Sequence, residues 1–185
     1  MQNSILHILL NIFFTIATFQ INIGRLKNLT SLSNMPKRIT GQKMNNNIDY
    51  AWDIYQTTPK MSTYTIGMAV LSNYSSMHKE YGKRNFSTWR ESRFANYRDF
   101  IVTLFNLETT IKFLSFYESY FNMSDELPKT DSLHVLHGTY GAMENWGLIM
   151  YFDIRGRKIP DRTLIAHELA HYWMGNLVTC KNWNE

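Results

Sequence analysis

The pentapeptide His167-Glu168-Leu169-Ala170-His171 restricts the local fold more than any other segment of this 185-residue sequence. Residues four apart on an α-helix are separated by about 400° of rotation, so both imidazoles would lie on one face, a turn apart. Two imidazoles in this arrangement can bind one metal ion. Glu168 would lie beside the ion without binding it, close enough to accept a proton from a metal-activated water.

The flanking residues predict a helix around this motif. Pro160-Asp161 is a start signal with Asp161 as the N-cap, and Gly175-Asn176 is a stop signal. The alternative interpretation is that both histidines are core residues, hydrogen-bonded and inert. Burying two histidines and a glutamate without a use is costly, which favours the metal site. The apolar residues of the segment are Leu164, Ile165, Ala166, Leu169, Ala170, Trp173 and Met174.

The composition argues against a nucleic-acid partner and against a metal site built from cysteines. The chain is 44% hydrophobic, enough to build a core, and has a net charge of +4. Its densest basic groups, at 79–84 and 90–98, are interrupted by acidic residues, so they predict a solvated face and no nucleic-acid partner. Cys180 is the only cysteine, which excludes an internal disulfide and a cysteine-rich zinc site. A metal would therefore be held by histidine and carboxylate.

The first part of the chain predicts strands and a domain boundary. Residues 5–19 are apolar enough to suggest a signal peptide or a membrane span, but no basic residue precedes them, and a buried strand or core segment is preferred. Residues 17–23 and 62–71 have the β-branched and aromatic content of strands. The polar cluster within 75–88 predicts a domain boundary.

The middle of the chain predicts a long helix followed by strands. Apolar residues at three- and four-residue steps over 97–122 predict a helix broken near Asn106. Residues 132–139 read as a strand in which His134 and His137 have structural roles, and 148–152 read as another.

The segment between these two strands, Gly141-Ala142-Met143-Glu144-Asn145-Trp146-Gly147, allows two interpretations. It is either a polar turn ahead of a strand, or a strand edge that faces a ligand. In the second case, free backbone N–H and C=O groups would pair with an extended peptide.

Two motifs together resemble one family. GAMENWG at 141–147, followed by IAHELAHYWMGNLVT at 165–179, closely resembles the M1 family of zinc aminopeptidases, and the group that includes aminopeptidase N is the nearest. The resemblance implies an α+β fold, in which the end of a β-rich N-terminal domain (17–76) precedes the first part of a thermolysin-like zinc peptidase domain (77–185). Residues 1–16 remain an unassigned apolar start. Other segments that resemble the family are ATFQINI at 17–23, LSNMP at 32–36, TTPKMSTY at 57–64 and YFNMSDELPKTD at 120–131.

The resemblance also implies roles for the site residues. His167 and His171 would bind Zn²⁺, and Glu168 would be the general base. Glu144 would bind the free α-ammonium of a peptide, so that the protein removes N-terminal residues. The wider substrate-binding set is Gly141, Ala142, Met143, Glu144 and Asn145, with Ala142 and Met143 offering backbone groups.

The sequence departs from the family in ways that bear on activity. The family's third zinc ligand is a glutamate further along than Glu185, so we expect a fragment lacking both ends that is weakly active or inactive. The alternatives are a non-catalytic peptide-binding relative and an inactive fragment. Tyr172, Met174 and Asn182 stand where the family usually has glutamine, phenylalanine and tryptophan. An aminopeptidase N-like parent would lie at the cell surface or outside the cell, and its association with a membrane is possible.

Overall fold

The computed structural model describes residues 16–45, 47–92, 97–136, 141–153 and 161–179. Most of the apolar start, His137 and Cys180 therefore lie outside the described residues, as does Asn182. The strands are β1 (Ile16–Ala17), β2 (Asn22–Leu26), β3 (Thr30–Ser33), β4 (Lys37–Met44), β5 (Asn47–Tyr55), β6 (Met61–Ser62), β7 (Met68–Leu71), β8 (Tyr74–Tyr81), β9 (Arg84–Glu91), β10 (Lys129–Leu136), β11 (Ala142–Met143) and β12 (Leu148–Asp153). The helices are α1 (Tyr97–Phe121) and α2 (Arg162–Ala170), with a 3₁₀ turn at Thr63–Thr65.

A five-stranded mixed sheet carries the second half of the chain, in the order β11-β12-β10-β9-β8. Strands β8 and β9 form an antiparallel hairpin, whereas β10 runs parallel to both β9 and β12. Parallel neighbours need a crossover connection, and helix α1 supplies the one between β9 and β10. Strand β11 pairs antiparallel with β12 and forms one edge of the sheet.

Helix α1 runs unbroken from Tyr97 to Phe121, so the predicted break near Asn106 is wrong. Asn106 is fully buried, and its side-chain oxygen accepts a hydrogen bond from the Thr88 hydroxyl of β9 at 3.0 Å. Because the Asn106 side chain is hydrogen-bonded to a residue of β9, it does not compete for the hydrogen bonds of the α1 backbone. Leu107, Ile111 and Leu114 follow at helical spacing and are all buried.

The smaller sheets lie in the first half of the chain, in the orders β2-β5-β4, β1-β6 and β3-β7. The predicted strand 62–71 is two short strands, because the Thr65 hydroxyl donates to the Ser62 carbonyl at 2.7 Å and closes the 3₁₀ turn between them. The predicted strand 17–23 is likewise interrupted between β1 and β2, where the Phe19 N–H donates to the Thr58 hydroxyl at 2.9 Å. Strands β3 and β4 were not predicted from the sequence, and β4 is mostly exposed.

One apolar cluster joins both halves of the chain. Met35 and Met61 from the first half pack with the inward residues of α1, β12 and α2. The architecture is thus α+β, a β-rich region followed by the helical start of the second part, as the sequence predicts. The proposed division between 76 and 77 falls within β8 and stays a prediction. Of the helices in the described part of the chain, neither has the length and apolar character needed to cross a membrane.

A buried charge network holds the three-stranded sheet together at Asp53 of β5. The Asp53 carboxylate is fully buried and accepts hydrogen bonds from Arg25 of β2 at 2.6 and 2.9 Å and from the Ser31 hydroxyl at 2.6 Å. Lys37 of β4 lies 2.9 Å away, and the Gly41 N–H donates at 3.0 Å. Burial alone raises the pKa of this carboxyl, but these partners together hold the pKa well below its usual range.

Replacing Asp53 with asparagine should lower the free energy of unfolding by about 3–5 kcal/mol at pH 7, because Arg25 would be left buried without a counter-charge. A lowered folded-state pKa contributes stability above the unfolded-state value of 3.8, and that contribution is lost as the pH falls toward the folded-state pKa. The difference between wild type and variant should therefore shrink below about pH 4. Urea unfolding monitored by circular dichroism at several pH values measures this difference in the free energy of unfolding.

The matched control is Asp49→Asn, because Asp49 is an exposed residue of the same strand β5. We expect that variant to unfold within about 0.5 kcal/mol of the wild type. A loss at Asp53 no larger than the loss at Asp49, or one that does not depend on pH, would contradict the network's role.

Candidate active site

Helix α2 begins as predicted, with Asp161 as its N-cap. The Asp161 carboxylate accepts a hydrogen bond from the Leu164 N–H at 2.8 Å. The helix ends at Ala170, earlier than the Gly175-Asn176 stop signal predicts. Beyond it, the backbone N–H groups of 176, 177 and 178 donate to the carbonyls five residues earlier, which makes wider turns than an α-helix.

The two histidines, His167 in α2 and His171 directly after its last residue, lie away from the core. Ile165 and Leu169 are fully buried on the opposite side of the helix, whereas His167 is exposed and His171 is half-buried. Residues four apart on one helix face are neighbours, and this geometry leaves both imidazoles able to reach a ligand. The alternative of two core histidines therefore does not describe this arrangement.

The imidazole rings face each other at a distance that suits a shared ion. Their Nε2 atoms are 3.2 Å apart and the rings are nearly perpendicular, at 88°. The His171 Nδ1 lies 3.0 Å from the Met174 carbonyl, which can only accept, so this nitrogen carries the proton. In that tautomer, the unprotonated Nε2 of His171 points toward the Nε2 of His167 and can accept a hydrogen bond from it or bind a metal ion.

The donor atoms fit zinc in type and spacing. Two nitrogens bound to a tetrahedral zinc ion at about 2.0–2.1 Å lie about 3.4 Å apart, close to the distance observed between these Nε2 atoms. The Met174 carbonyl is the kind of partner that orients a metal-binding histidine through its other ring nitrogen. Within the described ranges, no group of three or more His, Cys, Asp or Glu side chains gathers around one metal position.

Glu168 combines burial with an unusual proton affinity. The residue is only 4% exposed, although it follows the exposed His167. The pKa of this carboxyl is raised to about 7, mainly by burial and further by the negative charge of Glu144, whereas His171 acts to lower it. A carboxyl with a pKa near neutrality can both accept and release a proton at physiological pH.

Strand β11 places the second predicted segment at the sheet edge. Ala142 and Met143 pair with Tyr151 and Met150 of β12, and the Gly141 carbonyl accepts the Phe152 N–H at 3.0 Å. No strand of the described residues pairs with the other edge of β11. The ligand-facing interpretation of this segment is thus compatible with the geometry.

Glu144 and Asn145 differ in how their side chains are placed. Glu144 is partly exposed, and its charge acts on Glu168, so the two carboxylates lie within electrostatic reach of each other. Asn145 is 5% exposed, and its side-chain amide donates to the Ile66 carbonyl at 3.0 Å. The side chain of Asn145 therefore holds the protein's own backbone, and its role in substrate binding stays a prediction.

Sequence reasoning did not identify Asn34, which supports this segment from the first half of the chain. Asn34 is 1% exposed, and its amide donates to the Thr65 and Trp146 carbonyls, both at 2.8 Å, while its oxygen accepts the Gly67 N–H at 2.9 Å. The Asn in Leu-Ser-Asn-Met-Pro was part of the resemblance, but nothing in its spacing indicates a long-range contact. His134, assigned a structural role, is buried beside Tyr151.

Comparison with known proteins points to the same family that the sequence motifs resemble. Residues 105–185 match the model of the peptidase family M1 domain. The chain is 37% identical over 179 residues to endoplasmic reticulum aminopeptidase 2 of Bos taurus. It is 33% identical over 180 residues to aminopeptidase Ey of Gallus gallus and over 181 residues to aminopeptidase N of Bos taurus. Each alignment covers 91% of this chain, which spans 18% of the length of these relatives.

Gly147 offers a test of how tightly the segment is packed. Its φ of +87° is left-handed, and an added Cβ would lie 2.3 Å from the Asn34 carbonyl oxygen. Gly147→Ala should therefore lower the free energy of unfolding by about 3 kcal/mol or more, since backbone strain and a steric clash add. Urea denaturation of the purified chain measures this loss.

Gly82→Ala is the matched control, because Gly82 has a φ of +62° but no atom within 4 Å of an added Cβ. It should cost only the left-handed strain, about 1–2 kcal/mol. Equal losses for the two variants would show that Gly147 does not depend on its contact with Asn34.

Proposed function

We propose that this chain, whose residues 105–185 belong to the M1 peptidase family, supplies the metal-binding helix and the amine-recognition strand of a zinc aminopeptidase. The reaction is removal of N-terminal residues from peptides that have a free amino end. The observation that carries the proposal is the arrangement of two facing imidazoles beside a buried carboxyl of raised pKa. The sequence motifs and the named relatives agree with it.

In this proposal, His167 and His171 hold the zinc ion through Nε2. A zinc ion at that position would act as a Lewis acid that polarises the scissile carbonyl and acidifies water. The contact between His171 Nδ1 and the Met174 carbonyl keeps the second imidazole in the binding tautomer. The exposed position of His167 leaves room on one side for a substrate.

Glu168 is the proposed general base. Its pKa of about 7 allows the carboxylate to accept a proton from the attacking water and to donate it later to the leaving amine. Burial supplies most of this shift, so solvent exclusion around α2 is part of how the residue is activated.

Glu144 and β11 are proposed to set where the peptide is cut. The free edge of β11 offers the backbone groups of Ala142 and Met143 to an extended peptide, and Gly141 lies just before them. Glu144 follows directly, so its carboxylate can bind the terminal ammonium of that peptide. Fixing the amino end in this way brings only the first peptide bond to the catalytic groups.

Zinc affinity should depend on both histidines. Replacing His167 or His171 with alanine should weaken zinc binding at least about tenfold, as one of two ligands is lost. The wild-type 185-residue chain should itself bind weakly, since two neutral imidazoles hold zinc less well than a set that includes a carboxylate. Competition with a chromophoric chelator measures the affinities.

His78→Ala is the control for this titration. His78 lies on β8, with its ring nitrogens 2.8 and 2.9 Å from the hydroxyls of Ser76 and Ser87. Its replacement should leave zinc affinity unchanged. Equal weakening by all three replacements would contradict a site at α2.

Peptidase activity is tested with alanine p-nitroanilide at saturating zinc. Cleavage by the 185-residue chain should be slow, and Glu168→Gln should lower its rate at least about a hundredfold, because the proton acceptor is removed. The exposed Glu80 gives a matched control in Glu80→Gln. A rate that survives in the Glu168 variant, or equal cleavage of the N-acetylated substrate, would refute the mechanism.

A second candidate is a peptide-binding relative, or an inactive segment, without catalysis. The observation that favours it is that the described residues bring no third His, Cys, Asp or Glu side chain to a metal position shared by His167 and His171. Such a binder should hold alanyl-alanine equally well with and without a chelator, whereas a zinc-dependent site should lose affinity when zinc is removed. A cell-surface or extracellular location remains our prediction only for an aminopeptidase N-like parent, since one relative is named for the endoplasmic reticulum.

A further inference from the structure

The residues that follow His171 bind the Glu144 segment directly. The Tyr172 hydroxyl accepts a hydrogen bond from the Gly147 N–H at 3.1 Å, and the Asn176 side-chain amide donates to the Glu144 carbonyl at 3.1 Å. Tyr172 is fully buried and Asn176 is 4% exposed. The part of the chain that carries the second imidazole is therefore bonded to the part that carries the amine-recognition carboxylate.

The rest of the segment has little freedom to move. Every carbonyl from Glu144 to Gly147 has a hydrogen-bond partner, as do the N–H groups of Trp146 and Gly147. A backbone held at each peptide unit fixes the direction in which its side chains leave. The remaining partners are Leu148 N–H for Asn145, Asn34 for the Trp146 carbonyl, Thr65 for the Trp146 N–H, and both Asp131 N–H and Lys129 for the Gly147 carbonyl.

We propose that Tyr172 is a positioning residue for recognition of the substrate's amino end. Its hydroxyl fixes Gly147 and, together with Asn176, sets the place of Glu144 relative to His171. This inference rests on the proposed aminopeptidase function and adds to it a residue that never touches the substrate. Displacements of about 1 Å at such sites can cost two orders of magnitude, so a single anchoring bond can matter.

The test compares two tyrosine hydroxyls. Tyr172→Phe removes the acceptor and leaves the Gly147 N–H buried without a partner, which the segment can relieve only by shifting. Tyr55→Phe is the matched control, since Tyr55 is 2% exposed and its hydroxyl lies 2.7 Å from the Ser31 hydroxyl, in a separate apolar cluster. Both variants lose a buried hydroxyl group, but only the first lies at the site.

Two readouts are measured on the 185-residue chain. Amide hydrogen exchange by NMR reports the protection of the Gly147 N–H. Calorimetry gives the affinities for alanyl-alanine and for N-acetyl-alanyl-alanine, and their ratio is the preference for a free amine. Tyr172→Phe should speed exchange at Gly147 about tenfold and lower the preference about tenfold, as expected for the loss of one hydrogen bond. Tyr55→Phe should change neither.

Any other result of these two measurements counts against the proposal. Unchanged exchange at Gly147 would overturn the proposal, because the hydroxyl would not be holding the amide. Faster exchange with an unchanged preference would also overturn it and leave Tyr172 a purely structural role. If the wild type itself shows no preference for a free amine, the proposed function fails and the positioning role fails with it, whereas the exchange result still shows whether the hydroxyl binds Gly147.

Discussion

The contact between Gly147 and Asn34 is the constraint on which the site depends. Gly147 approaches the Asn34 backbone so closely that no side chain fits there, while the Asn34 amide binds the neighbouring carbonyls. The first half of the chain thus packs against the Glu144 segment and supports it. Without that support, β11 and the residues after it would be held by the two-residue pairing with β12 and by contacts from the second half of the chain, such as those of Tyr172 and Asn176.

The chemistry of the site follows from two carboxylates in different surroundings. Glu144 is partly exposed, whereas Glu168 is buried and its pKa is raised, in part by the charge of Glu144. Environments that separate the proton affinities of nearby acids assign them different tasks. In the proposed mechanism, Glu144 pairs as a charged group with an ammonium group, and Glu168 accepts and donates protons.

The sequence predicts the fold class and the start of helix α2, but it predicts the individual strands less well. The Asp161 cap is a local signal, and it led to the observed helix start. Strands β3 and β4 were missed because they carry no alternating apolar pattern. A break in helix α1 was wrongly predicted at Asn106, because its hydrogen-bond partner Thr88 lies outside the helix, on strand β9. Asn34 and Tyr172 act over long sequence distances, which periodicity cannot reveal.

The parallel pairing of β10 with β9 and β12 has a consequence for how the chain folds. Asn85 pairs with Lys129, and the chain between them includes the whole of helix α1. This pairing must therefore close a long loop, whereas the β8–β9 hairpin closes a short one. Loop closure is an entropic cost that slows the formation of distant contacts. We expect the hairpin and α1 to form early, with β10 and β12 joining afterwards. The acid and imidazole groups would then come together only in the last stage, so incompletely folded chains would lack an organised site.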